Sequence, residues 1–474
     1  MAKLFLPNLM FLYGFVACGI PLSRVELGPM PLYFIDIIAF LVLFMGRGHI
    51  VVMYRRHRRI SAILALFILT LLPTYFGEFI RMSPLEPTYL LARTILHILA
   101  VWSVSGFLRA ELNLKKFLLG LACGALFTST VATLNSLPIT GPLVRAHIFT
   151  ISWLKPQRTG AYEISAETRI KLDDAKAERG DSLLGKSNVT GFVLISVLPF
   201  LIGAVRNIKY GATSKLIFNA AIILSFFALL FTYSRLTYLA IALLLYGYLL
   251  FDRQVFSKRF LPLIILASIV IGAVGVQSAV FKFSFIADKF DLTNEQYTYT
   301  NQARILAYTY PFELIYNDPS YVLRGAGRSF KKLREKDSSA GILQLDGSLS
   351  AAMHSVFAAS VFYRGFIAMI VFFYLYYVLI KTSYKETKRS KREASPTQWM
   401  IIASTISLMS IIPPWAFDHF IVTKMNSHMH LFLIFALVMT CLEYVKSNNQ
   451  KPMKNKRRKS PTQDMRILRR ASHT

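Results

Sequence analysis

Long apolar runs, separated by short polar segments, follow one another along almost the whole chain. A helix needs about 20 predominantly apolar residues to cross the hydrocarbon core of a bilayer. On this basis the pattern predicts an all-α polytopic membrane protein with about twelve membrane-spanning helices. The predicted spans cover residues 4–21, 31–46, 60–79, 88–107, 117–136, 189–205, 216–233, 236–251, 260–278, 355–380, 399–417 and 428–445.

The composition agrees with a membrane protein. Of the 474 residues, 54% are hydrophobic and only 17% are charged, whereas a soluble protein of this length needs more polar surface. The three cysteines, Cys18, Cys123 and Cys441, all lie inside apolar runs. This placement argues against a disulfide framework and against a cysteine-ligated metal site.

The positions of the basic residues explain the net charge of +29. If the N-terminus is cytoplasmic, every second loop is rich in Lys and Arg and falls on the cytoplasmic side. These basic segments are 47–59, 109–116, 206–215, 252–259, 381–393 and the tail 451–470. The pattern predicts that both termini are cytoplasmic and that the charges face anionic membrane lipid. It therefore favours a membrane partner over a nucleic-acid partner.

Two loops on the other side are long enough to carry function, because long ordered loops in compact proteins are usually functional. The chain is accordingly predicted to divide into helices 1–5, a first outer loop, helices 6–9, a larger second outer loop, helices 10–12 and a basic tail. The corresponding ranges are 1–136, 137–188, 189–278, 279–354, 355–445 and 446–474.

A single arginine, Arg235, interrupts the apolar stretch 227–250. An arginine near a helix end can extend its side chain to the lipid headgroups. Alternatively, the hydroxyls of Thr232, Ser234 and Thr237 surround a planar cation that can bind a diphosphate through two parallel hydrogen bonds. The residues alone leave both interpretations open.

Several segments together resemble the O-antigen ligase and polymerase superfamily. "FTYSRLTYLAIALLL" (231–245) resembles the family's Ser-Arg segment. "TNQARILAYTYPFELIYNDPSYVLRGAG" (300–327) is similar to its stretch with an Arg at a helix start and a Gly-x-Gly end. "MHSVFAASVFYRGFIAMIVFFYLYYV" (353–378) resembles its His-Asn segment, while "QRTGAY" (157–162) and "SNVTGFVL" (187–194) resemble upstream elements. The motifs occur in the family's order.

The resemblance covers roughly residues 158–380, and it departs from the family at Ser355, which follows His354 where an Asn is usual. It implies a GT-C-like helical fold in the bacterial inner membrane. It also implies transfer of a glycan from undecaprenyl diphosphate at the periplasmic face, with no nucleotide sugar, cofactor or metal. The acceptor would be lipid A core oligosaccharide in a ligase, or a lipid-linked glycan in a polymerase. A rival class, a polysaccharide flippase, would place polar residues at the midplane of interrupted helices.

The residues give this implied reaction a chemical basis. A departing lipid diphosphate gains negative charge, which arginine stabilises without giving up a proton. Arg235 and Arg304 are the main candidates for that role, and Arg158 and Arg328 are additional ones. The acceptor hydroxyl must lose a proton as it attacks, and the neutral imidazole of His354 is suited to accept it.

Other polar residues lie inside the predicted spans. Tyr363 and Arg364 follow His354 on the same predicted helix, where Arg364 either faces the same cavity or pairs with an acid or with lipid. Arg93 and His97 are spaced i, i+4 and therefore share one helix face within the membrane. Their spacing favours a structural pair inside the bundle.

Overall fold

The computed structural model describes most of the apolar part of the chain. The described residues are 2–27, 30–81, 85–137, 140–148, 151, 182–184, 187–232, 234–252, 311–312, 315–326, 356–393, 397–413 and 425–450. The predicted span 260–278 lies outside them, as do most of the second outer loop and the basic tail.

The described residues are almost entirely helical. The N-terminal part contains α1 (Ala2–Gly19), β1 (Arg24–Leu27), β2 (Met30–Tyr33), α2 (Phe34–Met45), α3 (Arg47–Arg56), α4 (Arg58–Arg81), α5 (Leu85–Phe107), α6 (Glu111–Ser136), α7 (Thr140–Leu143) and a π-helical turn over Val144–Ile148. The C-terminal part contains α8 (Ser187–Asn207), α9 (Ala212–Phe231), α10 (Arg235–Phe251), α11 (Tyr321–Arg324), α12 (Val356–Arg364), α13 (Phe366–Glu393), α14 (Gln398–Ser410) and α15 (Met425–Gln450).

Six of the described helices are long and apolar enough to cross a membrane, namely α4, α5, α6, α8, α9 and α13. The number is seven if α2 and α3, which are bent by 78°, form one broken span. Shorter apolar helices occur in α1, α10 and α15. The prediction of an all-α membrane protein is therefore confirmed, with one small β-hairpin added.

The hairpin corrects the predicted span 31–46. Its strands β1 and β2 are antiparallel, with Arg24 opposite Tyr33, and the helix starts only at Phe34. The helix ends at Met45, and the chain then bends into the basic α3. Hydropathy merged the second strand with the helix because Met30–Tyr33 is apolar and runs directly into the apolar helix that starts at Phe34.

The predicted span 355–380 is wrong as a single helix. It consists of α12 and α13, which meet at Gly365 with φ +89°. The ring centroids of Phe357 and Phe373 lie 6.3 Å apart, whereas one straight helix would separate these positions by about 24 Å. The two helices therefore form a hairpin, in which α12 folds back along α13.

The N-terminal helix packs very closely against α6. A Cβ atom at Gly14 would lie 2.5 Å from the carbonyl oxygen of Phe117, and one at Gly120 would overlap the backbone of Phe11. Small residues allow this backbone contact, which is a common way to associate helices in membranes, where the hydrophobic effect does not drive association.

Side-chain contacts bring the basic segments together at one end of the bundle, which we call the basic end. The contacts are Arg56–Glu443 at 2.6 Å, Tyr444 Oη to the Arg109 carbonyl at 2.9 Å, Tyr210 Oη to the Lys115 carbonyl at 3.3 Å, Arg206–Asp252 at 2.7 Å, and Lys391 Nζ to the Leu250 carbonyl at 3.2 Å. The alternation seen in the sequence thus corresponds to one face of the structure. The opposite end carries the described parts of the motif-bearing stretches, at the start of α10 and at the junction of α12 and α13.

Candidate functional site at a helix break

The sequence-predicted site residues are only partly within the described residues. Arg158, Arg304, Arg328 and His354 lie outside them. Arg235 is the first residue of α10, but its side chain lies outside the described part. The remaining two, Tyr363 and Arg364, end α12 and are half-buried.

The chain breaks at the Ser-Arg segment as the hydropathy predicts. Helix α9 ends at Phe231 and α10 begins at Arg235. The hydroxyl of Thr232 donates to the Leu229 carbonyl at 2.7 Å, so its proton is not available to a diphosphate. Thr237 is buried against the outer part of α8. Two of the hydroxyl groups predicted to surround the Arg235 guanidinium are therefore engaged in contacts within or between helices.

A second backbone segment docks onto the break between α12 and α13. A Cβ atom at Gly365 would lie 2.6 Å from the Leu323 carbonyl oxygen, and one at Gly325, with φ +60°, would lie 2.6 Å from the Arg364 amide nitrogen. The amide of Ala326 donates to the Phe362 carbonyl at 2.6 Å. Only glycine fits at both positions, because a side chain would meet backbone atoms and strain the positive φ. We call residues 318–326 the docked segment.

Arg364 lies between this break and α4. Its guanidinium lies over the Phe67 ring, with the central carbon 5.7 Å from the ring centroid. Its carbonyl oxygen accepts a hydrogen bond from Thr74 Oγ1 at 3.3 Å. Phe67 is fully buried and packs against Phe372 at 5.4 Å. The cation is therefore held on an apolar wall, where electrostatic interactions are stronger than in water.

The docked segment supplies a second arginine, which the sequence analysis did not single out. Arg324 forms an ion pair with Asp318 at 2.8 Å and lies over the Tyr321 ring at 4.7 Å. Hydrogen bonds from Ser320, followed by the Arg324 guanidinium, lower the pKa of the Asp318 carboxyl. The available signal was the arginine directly before the Gly-x-Gly turn.

The backbone of Arg364 and the side chain of Arg324 reach α4 within one turn of each other. Arg364 contacts Thr74 through its carbonyl, and the Arg324 side chain lies 3.6 Å from the Cβ position of Gly77. Asp318 forms an ion pair with Arg324, and the Arg364 guanidinium lies over the Phe67 ring about two turns away along α4. The arrangement can present positive charge to an anionic group at this end of the bundle.

A buried ionic cluster connects three helices at the same end. Asp36 of α2 lies 2.7 Å from Arg93 Nε and 2.8 Å from His97 Nε2, both on α5. The Arg93 guanidinium also stacks over the Tyr33 ring at 4.1 Å and donates to the sulfur of Met429 at 3.7 Å. Arg93 and His97 thus share one face, as predicted, but their acid partner Asp36 was missed. A lone acid inside an apolar run was the available signal.

A neutral polar pair joins the same region to α8. His430 Nε2 lies 2.8 Å from Ser196 Oγ, and the ring packs edge-on against Phe192 at 5.7 Å. Ser407 of α14 donates to the Ser196 carbonyl at 2.6 Å. Among the described residues there is no group of three or more His, Cys, Asp or Glu that could hold a metal ion.

These contacts place the α10 start and the α12–α13 break at one end of the bundle. The main contacts of α10 are with α8 and α14, and those of α12 are with α4, α11 and α13. The cluster around Arg93 and the pair around His430 connect the two groups. No protein-family model matches this chain, and no curated protein matches it in sequence. The functional argument therefore depends on its residues.

Proposed function

We propose that the protein is a membrane glycosyltransferase with about twelve spans and a GT-C-like fold. It moves a glycan from undecaprenyl diphosphate to a hydroxyl acceptor at the periplasmic face of the bacterial inner membrane. The favoured form is an O-antigen ligase, with lipid A core oligosaccharide as acceptor. A polymerase that extends a lipid-linked glycan is the alternative. Both termini are cytoplasmic in this proposal, because the basic end then faces the cytoplasm.

One observation supports the proposal most strongly. The docked segment and the α12–α13 break belong to two different motif-bearing stretches, and they meet at the end of the bundle opposite the basic end. Their meeting brings the Arg364 backbone and the Arg324 side chain to one turn of α4, and the Arg364 guanidinium lies over Phe67, about two turns closer to the basic end. Residues from stretches that are distant in sequence commonly come together in this way to form a site, and arginines among them suit an anionic headgroup.

The proposed reaction needs positively charged groups that stabilise the leaving diphosphate and one general base for the acceptor hydroxyl. The acceptor oxygen attacks the anomeric carbon while the bond from that carbon to the phosphate oxygen breaks. The leaving diphosphate keeps the bonding electrons, and Arg235, Arg304 and Arg364 balance its charge. Arg158 and Arg328 are further candidates for holding the donor, with Tyr363 beside Arg364. The proton of the acceptor hydroxyl passes to His354.

The structure also offers a specific argument for the rival flippase. The apolar stretch 355–380 is interrupted at Gly365, where α12 turns back along α13. Transporters bind substrates at interrupted helices of this kind. A flippase moves the lipid-linked glycan across the membrane without breaking the bond to the phosphate, so the two functions differ in whether free undecaprenyl diphosphate is released.

Lysine substitutions test the role of the arginines. We expect Arg235→Lys and Arg364→Lys each to lower turnover at least tenfold, since lysine keeps the charge but loses the planar fork. Arg47→Lys is the matched control, because Arg47 is exposed at the basic end. His354→Ala should abolish transfer while donor binding persists.

Turnover is measured as release of undecaprenyl diphosphate by purified protein, with membrane abundance controlling for misfolding. Normal turnover in both Arg235→Lys and Arg364→Lys would remove the arginines from the mechanism. Normal turnover in His354→Ala would remove the base.

A further inference from the structure

One buried glutamate side chain holds the junction between α3 and α4 against the helix bundle. Glu443 of α15 is buried and binds Arg56 at 2.6 Å and His57 at 2.9 Å through its two oxygens. His57 is the residue at which α3 ends and α4 follows. His57 is therefore buried and the partly exposed Arg56 is held against Glu443, while Arg55 and Arg58 on either side are exposed.

These exposed arginines border a groove with an apolar floor and a cationic rim. The groove is lined by Ile50, Val51, Tyr54, Arg55 and Arg58. Among the described residues, no carboxylate lies within ion-pair distance of Arg55 or Arg58. The side chain of Val51 is 53% exposed. Apolar surface and two unneutralised guanidinium groups thus occur side by side.

Helix α3 has the position of a helix that lies along a membrane surface. It is bent by 78° from α2 and packs against α5, where the His49 ring lies 4.8 Å from the Phe107 ring, and its Met53 is buried. Its other side carries exposed valines, Val51 and Val52. A basic amphipathic helix of this kind buries its apolar side chains at the boundary between headgroups and acyl chains.

We infer that this groove is a specific site for one anionic phospholipid. The phosphate lies between Arg55 and Arg58, and an acyl chain follows Ile50 and Val51. Charge complementarity favours this occupant, because a zwitterionic headgroup would bring its own cation to a rim that already carries two. The inference is independent of the proposed transferase activity, because the groove lies at the basic end.

Binding of phosphatidylglycerol to delipidated protein in neutral detergent tests this site. Native mass spectrometry counts bound lipid during titration, with phosphatidylcholine as the comparison lipid. We expect one saturable phosphatidylglycerol and no saturable phosphatidylcholine. Each arginine contributes about fivefold in affinity, so Arg55→Gln with Arg58→Gln should weaken binding about twenty-five-fold.

Two further variants make the test specific. Arg47→Gln removes one positive charge from α3 outside the groove, and it should leave the affinity within about twofold, whereas Arg55→Gln alone should weaken binding about fivefold. Val51→Asp leaves both arginines in place and puts a carboxylate on the groove floor, so it should also weaken binding. Equal binding of both lipids, or equal effects of Arg47→Gln and the Arg55→Gln, Arg58→Gln pair, would overturn the inference.

Discussion

Replacing Gly365 by Ala should destabilise the hairpin between α12 and α13. Gly365 has φ +89°, and an added Cβ would lie 2.6 Å and 2.7 Å from the carbonyl oxygens of Leu323 and Val322. Backbone atoms cannot retreat as the end of a flexible side chain can. The docked segment must therefore move away, and the hydrogen bond from Ala326 to the Phe362 carbonyl is lost.

The expected decrease in the free energy of unfolding is the sum of two contributions, one from backbone strain and one from the lost hydrogen bond. A left-handed conformation costs a residue with a Cβ about 1–2 kcal/mol. Loss of one backbone hydrogen bond costs about 0.5–1.5 kcal/mol. Together they predict a decrease of about 1.5–3.5 kcal/mol in the free energy of unfolding. This decrease corresponds to roughly 10- to 400-fold in the equilibrium constant.

Unfolding by dodecyl sulfate in mixed micelles, followed by circular dichroism, measures this difference. The matched control is Gly48→Ala on α3, where no atom lies within 4 Å of the added Cβ. This control should be neutral or slightly stabilising, because alanine favours a helix more than glycine does. Equal stability of Gly365→Ala and the wild type would refute the account of the break.

Cross-linking tests the hairpin itself. Cysteines replacing Phe357 and Phe373, in a background without native cysteines, should be joined rapidly by a short bifunctional thiol reagent, because the two rings are 6.3 Å apart. A cysteine at Tyr377, one turn further along α13, paired with the one at position 357 should react more slowly. A continuous helix over 356–393 predicts no cross-link for either pair.

Three further predictions concern the buried cluster, the docked segment and the orientation. Asp36→Ala leaves Arg93 buried without its acid, so it should lower the free energy of unfolding by about 3 kcal/mol in the same dodecyl sulfate assay; an unchanged value contradicts the ion pair. The lowered pKa of the Asp318 carboxyl means that its stabilising contribution is present above the ordinary carboxyl range and is lost as pH falls through that lowered pKa. Proteolysis of the docked segment should therefore accelerate in acid in the wild type but not in Asp318→Asn. Tyr316 and Lys388 are both exposed. In whole cells, an impermeant thiol reagent should label Tyr316→Cys and should reach Lys388→Cys only after lysis. The reverse pattern would contradict the predicted topology.

Hydropathy predicted helix boundaries well where the polar break is local. Hydroxyl-bearing residues between α9 and α10, followed by Arg235 at the start of α10, interrupt an apolar run that otherwise looks continuous. The break at Gly365 was missed, because the apolar residues continue on both sides and a single glycine is tolerated within helices. Its cause is the contact with Leu323, which lies 42 positions earlier in the chain.

The candidate site was less predictable than the fold, because it too depends on contacts between segments that are distant in the sequence. Arg93 and His97 could be placed on one face from their spacing, but Asp36 joins them only because α2 packs against α5. Arg324 becomes a neighbour of Arg364 only through the docked segment. Spacing along one helix is visible in a sequence, whereas contacts between distant segments depend on the packing of the whole bundle.

The central claim is that this protein breaks the bond between a glycan and undecaprenyl diphosphate. Purified protein is mixed with an undecaprenyl-diphosphate-linked donor carrying a labelled glycan and with lipid A core oligosaccharide, in EDTA and without nucleotide sugar. Because arginines supply the positive charge in this account, we expect the label to move to the acceptor and free undecaprenyl diphosphate to appear in equal amount. Label that remains on the lipid with this acceptor and with a second lipid-linked glycan would contradict the claim.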